Sequence, residues 1–202
     1  MKLIASLTSP YVRKIRVLLL EKGIPFEFVN DPPWEPGNHV SDFNPLGKVP
    51  ALVTSSGEVF FDSPIIADYL ETLGVYAPAL PADALAALRV KQLEALADGI
   101  TDAGVIWVLE VRRTAEKRDT SVMERQHGKV SCGLVALEKH LAGKDWLIGD
   151  AFSRADIAAG CCLLWLDFRL PQLDWRTEHP ALAAYAERLS ERPSFAQTVP
   201  VL

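Results

Sequence analysis

The chain has only three cysteines, Cys132, Cys161 and Cys162. An odd number in helix-like sequence argues against a disulfide framework. The four histidines show no ligand spacing with cysteines or carboxylates, so no metal site is expected. No apolar run reaches the roughly 18 residues of a membrane span, and no membrane partner is expected. Positive charge is not in excess. There are 21 Lys and Arg against 26 Asp and Glu, a formal net charge of -5, and no basic block. That argues against nucleic acid or an anionic membrane surface as the partner. Internal repeats and low-complexity segments are absent. The apolar start Met1-Lys2-Leu3-Ile4-Ala5-Ser6 is broken within a few residues and followed by Arg13, Lys14 and Arg16. It reads as a strand rather than a secretory signal, and the expected location is the cytoplasm.

What is present is ordinary globular material: 202 residues, 49% hydrophobic and 23% charged. That is enough for two domains with apolar cores. Lys2 to Ser6 reads as a strand. Thr8-Ser9-Pro10 is a helix start, with Pro10 suited to the first helical position. Val12, Ile15, Leu18 and Leu19 keep helical spacing until Gly23 stops the helix. Pro25 to Val29 fits a second strand, and the proline-rich stretch 30–37 a loop. Ala51 to Thr54 and Val59 to Phe61 flank Ser55-Ser56-Gly57-Glu58, a hairpin signal. Ser63-Pro64 opens another helix. The order strand, helix, strand, loop, hairpin, helix begins with a βαβ unit and is the thioredoxin-like arrangement. Beyond Tyr76 the strand patterns vanish. Leu85 to Glu116, Val122 to Leu141, Phe152 to Phe168 and Pro180 to Glu191 have helical periodicity. The expected fold class is an α/β thioredoxin-like N-terminal domain over 1–75, a linker over 76–84, and an all-α C-terminal helical domain over 85–202.

Three motifs in the first domain suit one kind of ligand. Ser9 lies where a strand turns into a helix. The amides and helix dipole there favour a thiolate, and a hydroxyl could donate to it. Ser9 is equally a plain N-cap. In Lys48-Val49-Pro50 a proline precedes a strand. A cis Val49–Pro50 bond would present Val49's backbone to an extended peptide, and Lys48 could meet a carboxylate. In Asp62-Ser63-Pro64 a helix N-terminus and hydroxyl could hold a carboxylate beside an acid that attracts an amine. Thiol, amino-acid head and terminal carboxylate are together the features of glutathione.

With these motifs, Ser9-Pro10-Tyr11, Asn44-Pro45-Leu46-Gly47-Lys48-Val49-Pro50-Ala51-Leu52 and Phe61-Asp62-Ser63-Pro64-Ile65-Ile66-Ala67-Asp68-Tyr69-Leu70, the chain resembles the cytosolic glutathione transferases over essentially its whole length. It is closest to bacterial transferases of unassigned class. The resemblance implies that Ser9 activates the thiol, with Tyr11 as second candidate, and that a cis Pro50 lets Val49 pair with the ligand's cysteine. It implies that Asp62 and Ser63 hold the γ-glutamyl end and that Lys48 lies near the glycyl end. It also implies a homodimer in detoxification, with glutathione as co-substrate and no other cofactor. Asp98 would reach the partner's ligand amine, unless it is an ordinary solvated helix aspartate. Some relatives carry cysteine where this chain has Ser9, which argues against thiol–disulfide exchange by the protein itself. Trp107, Trp165 and Phe168 are either helical core or the pocket for a small apolar electrophile. Ser153 and Asp156 read as a capping box. Arg13 either adds positive potential to the site or is an exposed helix arginine, and the second reading is preferred. A glutathione-dependent peroxidase or disulfide reductase, or a non-catalytic regulatory protein on the same fold, are the competing functions.

Overall fold

The structure is a computed structural model and describes residues 1–201. The chain divides into two compact units. One is Met1–Leu80 together with the C-terminal segment from Pro193, and the other is Pro81–Arg192. The C-terminal segment therefore differs from the expectation of a helical domain running on to residue 202.

The first unit begins with β1 (Lys2–Ala5), α1 (Pro10–Lys22) and β2 (Glu27–Asn30). It continues with a short α2 (Val40–Phe43), β3 (Ala51–Val53), β4 (Val59–Phe60) and α3 (Ser63–Thr72). The strands form one sheet in the order β2-β1-β3-β4, with β1 parallel to β2 and antiparallel to β3, and β3 antiparallel to β4. This is the fold expected for the N-terminal part. Helix α1 buries Val12, Ile15, Leu18 and Leu19 at 0–1% exposure, each worth roughly 1.5–3 kcal/mol of apolar burial. Gly23, with φ +68°, ends it. The second strand begins two residues later than the pattern suggests, because Pro25 has no N–H for the ladder.

The second unit is helical throughout: α4 (Ala84–Val111), a 3₁₀ turn at Ala115–Lys117, α5 (Thr120–Leu141), α6 (Arg154–Arg169), α7 (Trp175–Glu178) and α8 (Pro180–Ser190). The long helix ends at Val111 rather than Glu116. Arg118 donates to the carbonyls of Val111 and Arg113 at 2.7 and 3.0 Å and so caps it. At Gly104 a Cβ would stand 2.8 Å from Cζ3 of Trp165, so only glycine lets α6 come this close to α4. A buried ion pair, Glu94–Arg154 at 2.6 Å, joins the same two helices. The capping box is present, and Asp156 does more than cap. It is fully buried and accepts from the Ser153 amide and hydroxyl, both at 2.8 Å. It also accepts from the Leu147 amide at 2.9 Å and the Tyr185 hydroxyl at 2.6 Å.

The C-terminal segment carries α9 (Pro193–Ala196), which packs on α1. Arg13 corrects the sequence reading: it is 3% exposed. Its guanidinium donates to the Phe195 carbonyl at 3.2 Å and to the Thr198 hydroxyl at 3.4 Å. A carbonyl and a hydroxyl contributed from 182 and 185 residues away are invisible to a helical-periodicity argument.

Candidate functional site

The strand register places the three N-terminal motifs. Ile4 pairs with Ala51, so extending the antiparallel ladder sets Pro50 beside Ala5 and Val49 beside Ser6. Leu52 pairs with Phe60, so the same extension sets Phe61 beside Ala51 and Asp62 beside Pro50. Ser9 follows the same end of β1 after a turn closed by its amide on the Ser6 carbonyl at 3.2 Å. Ser9, Val49-Pro50 and Asp62-Ser63 therefore share one end of the sheet, where the parallel strands β1 and β2 have their carboxyl ends. That end is where α/β sheets take ligands.

Each motif has its local cause. Ser9 is the N-cap of α1, and its Oγ accepts the Val12 amide at 3.3 Å. The oxygen is used as acceptor, which leaves the O–H proton to donate elsewhere. Pro10, at the first helical position, has no N–H to satisfy. Val49 packs its side chain against the core cluster of Ile4, Val40 and Ala51. Its backbone N–H and C=O make no hydrogen bond among the described residues. The Val49–Pro50 bond is cis, and so is Phe61–Asp62. Lys48 is exposed. Asp62 is the N-cap of α3, exposed and without a cap bond from its own side chain, while Ser63 at the first helical position is buried. Tyr11 is half-buried in the first turn of α1.

A residue that received no role from the sequence holds this arrangement. Asn44 is 1% exposed. Its side chain donates to the Lys48 carbonyl at 2.9 Å and accepts from the Leu46 amide at 3.0 Å. It thereby closes the turn that delivers Val49, and Gly47 in that turn has φ +61°, which favours glycine. An Asn-Pro-x-Gly sequence is a turn signal that could have pointed to this role.

The folded motifs agree with the comparisons with known proteins. The Glutathione S-transferase N-terminal domain matches residues 8–73, and the Glutathione S-transferase C-terminal domain matches residues 120–188. The chain belongs to the glutathione S-transferase family. Among relatives of this family, the Uncharacterized GST-like protein YibF of Escherichia coli (strain K12) is 48% identical over 200 residues, covering 99% of this chain and 98% of that protein. A glutathione S-transferase of Methylobacillus flagellatus, solved with glutathione bound, is 42% identical with a TM-score of 0.95, covering 99% of both chains. A glutathione S-transferase of Methylobacterium radiotolerans, solved with glutathione sulfonate, is 41% identical with a TM-score of 0.95, covering 100% of this chain and 95% of that one.

The remaining candidates of this glutathione S-transferase family member lie in the helical unit. Trp107 on α4 and Trp165 on α6 are 9% and 3% exposed, and the Trp165 ring lies against Gly104, one turn before Trp107. Neither indole N–H has an acceptor, which costs about 1–3 kcal/mol for each such group. Phe168 is half-buried, with the Arg169 guanidinium 4.4 Å from its ring centroid. The Asp98 charge acts on the Cys162 thiol, which puts Asp98 towards the α6 side of α4. Cys161 and Cys162 are buried. Burial pushes the Cys162 thiol up to about 12, against a lowering hydrogen bond with Thr101, and the Asp98 and Cys161 charges raise it further. Such a thiol stays protonated at neutral pH and is no nucleophile. Among the described residues no cluster of His, Cys, Asp or Glu could hold a metal ion, and no helix is long and apolar enough to cross a membrane.

Proposed function

We propose that the chain is a glutathione transferase that binds glutathione at the sheet end carrying Ser9, stabilises its thiolate, and directs it to an electrophile. The observation that carries this reading is the strand register, which brings three motifs from distant parts of the sequence to one end of the sheet. The bound ligands of the two bacterial relatives support it.

In this reading Val49's free N–H and C=O pair with the cysteine of glutathione as an added strand. The N-terminus of α3, with Ser63, takes the γ-glutamyl carboxylate, and Asp62 takes the amine. Lys48 sits near the glycyl carboxylate. The Ser9 O–H and the first-turn amides of α1 lower the thiol pKa. The thiol proton goes to solvent, and the sulfur lone pair forms a C–S bond to the electrophilic carbon. In a substitution the leaving group departs with the bonding pair. Ser9 forms no covalent bond; its contribution is electrostatic.

Trp107, Trp165 and Phe168 are the proposed contacts of the electrophile. The assembly is a homodimer working in the cytoplasm, and Asp98 reaches the partner's ligand amine. Calorimetry should find one glutathione site per chain. Absence of heat and of a thermal shift at millimolar glutathione would sink the reading. Turnover of an aryl halide such as 1-chloro-2,4-dinitrobenzene separates a transferase from a regulatory protein that binds glutathione without chemistry.

A further inference from the structure

The end of α5 meets one face of α8 in an open cleft of about 270 Å³. The α8 side carries Ala181, Ala184, Tyr185 and Arg188, spaced so that they share a face of the helix. The other side is the last residue of α5, Leu141, and the chain that follows it to Asp145. Alanine and glycine line both sides, so no large side chain fills the space.

The floor of the cleft is fixed. Tyr185 is buried, and its hydroxyl donates to Asp156 at 2.6 Å, which keeps the ring from swinging out. The rim is charged and ordered. Arg188 donates to the Asp145 carbonyl, and its guanidinium lies 5.5 Å from the Tyr185 ring centroid and 5.4 Å from that of Trp146. Lys144 Nζ donates to the His140 carbonyl at 3.1 Å. Each cation keeps further N–H donors, and neither has a carboxylate partner among the described residues. The Asp145 carboxylate accepts no hydrogen bond among the described residues, and nor do the carbonyls of Ala142 and Gly143. These acceptors follow the C-terminus of a 22-residue helix, whose dipole favours a positive charge.

One cleft thus offers donors for a carboxylate, acceptors for an ammonium group and an aromatic floor. We propose that it binds a free aromatic α-amino acid. Arg188 and Lys144 take the carboxylate, and guanidinium suits this because its planar donors match a carboxylate edge. The Asp145 carboxylate and the carbonyls at the end of α5 take the ammonium group. The side-chain ring packs on Tyr185 and the two alanines of α8. A cavity of about 150 Å³ accommodates benzene, so the volume here suits a ring with its amino-acid head. The cleft lies wholly in the helical unit, and the proposal does not rest on the transferase reading. The alternative role for Lys144 and Arg188 is to tie down the end of α5 through its carbonyls.

The test is calorimetry on the full chain with three probes: L-phenylalanine, 3-phenylpropanoate, which lacks the ammonium group, and 2-phenylethylamine, which lacks the carboxylate. Phenylalanine should bind more tightly than either by about tenfold or more, the scale of a hydrogen-bonded charge. Arg188→Gln should erase most of its advantage over the amine, and Asp145→Asn most of its advantage over the propanoate. Ala184→Leu, at an exposed position of α8, should fill the cleft and abolish phenylalanine binding while leaving the melting temperature and glutathione binding as they were. No heat with millimolar phenylalanine, or equal binding of all three probes, overturns the proposal. So does full binding in Ala184→Leu, or displacement of phenylalanine by glutathione, since either places the ligand elsewhere. An Arg188→Gln variant that keeps the advantage over the amine and only melts lower also overturns it, and assigns Arg188 to the helix end.

Discussion

Replacing Ser9 separates its two roles, because the structure shows one and the proposed chemistry requires the other. The Ser9 Oγ accepts the Val12 amide at 3.3 Å, a long bond at the low end of what a cap contributes. Losing a serine cap to alanine costs about 0.5–2 kcal/mol of stability, but losing it to glycine costs only a few tenths. A melting-temperature difference between Ser9→Ala and Ser9→Gly should follow, with the alanine variant lower. The hydroxyl's bond to a thiolate is charge-assisted and worth about 1.5–3 kcal/mol. Both variants should therefore lose roughly 10- to 100-fold in conjugation rate, since each 1.4 kcal/mol is about tenfold. Glutathione affinity should change far less, because Val49, Asp62, Ser63 and Lys48 remain. Tyr11→Phe should leave the rate near wild type. The assays are steady-state kinetics with an aryl halide, glutathione calorimetry and thermal denaturation. Full rate in both Ser9 variants would refute the reasoning and reduce Ser9 to a helix cap. A large loss in Tyr11→Phe would move the role to Tyr11.

Four further outcomes concern the scaffold. Asp156→Ala orphans four buried donors and should cost at least about 3 kcal/mol, seen as a fall of roughly 6–12 °C or more in melting temperature. Lys22 donates to Glu71 at 3.0 Å and to the Ala77 carbonyl at 2.9 Å, and Glu71 also accepts the Ala79 amide at 3.3 Å. Lys22→Met alone should cost about 3 kcal/mol by stranding the carboxylate, and adding Glu71→Leu should recover much of it; denaturant unfolding of the single and double variants checks this. Cys162 gives a pH dependence. Its folded thiol titrates near 12 rather than its ordinary 9.0, so its stabilisation is full below about pH 9 and is lost as pH rises towards 12. Stability should fall across that window with a contribution of up to about 1.4 kcal/mol per pH unit, and Cys162→Ala should flatten that slope. At neutral pH, mass spectrometry after mild alkylation should find only the exposed Cys132 labelled.

Local rules made the N-terminal unit legible. Ser9-Pro10 started α1 and Gly23 ended it as written, because the cap, the proline and the glycine act within one turn. The hairpin and the α3 start were legible for the same reason. The sequence also named the residues that the register later brought to one sheet end. It could not show that they share that end, since this depends on which strands pair and in which direction. Long-range partners were invisible. Arg13 looked like a surface arginine because its acceptors come from Phe195 and Thr198. Asp156 looked like a cap because Tyr185 and Leu147 reach it only in the folded unit. Trp107 and Trp165 have helical spacing, which marks them for burial; that their N–H groups find no acceptor is a tertiary fact.

The central claim is that the sheet end holding Ser9 binds glutathione and favours its thiolate. Titrating the thiolate's ultraviolet absorbance in a saturated protein–glutathione mixture against pH tests it most directly. The account predicts an apparent thiol pKa clearly below the free-thiol value near ~8.5, rising in Ser9→Ala but still below the free value because the α1 amides remain. A bound thiol that titrates like free glutathione in the wild-type protein would contradict it.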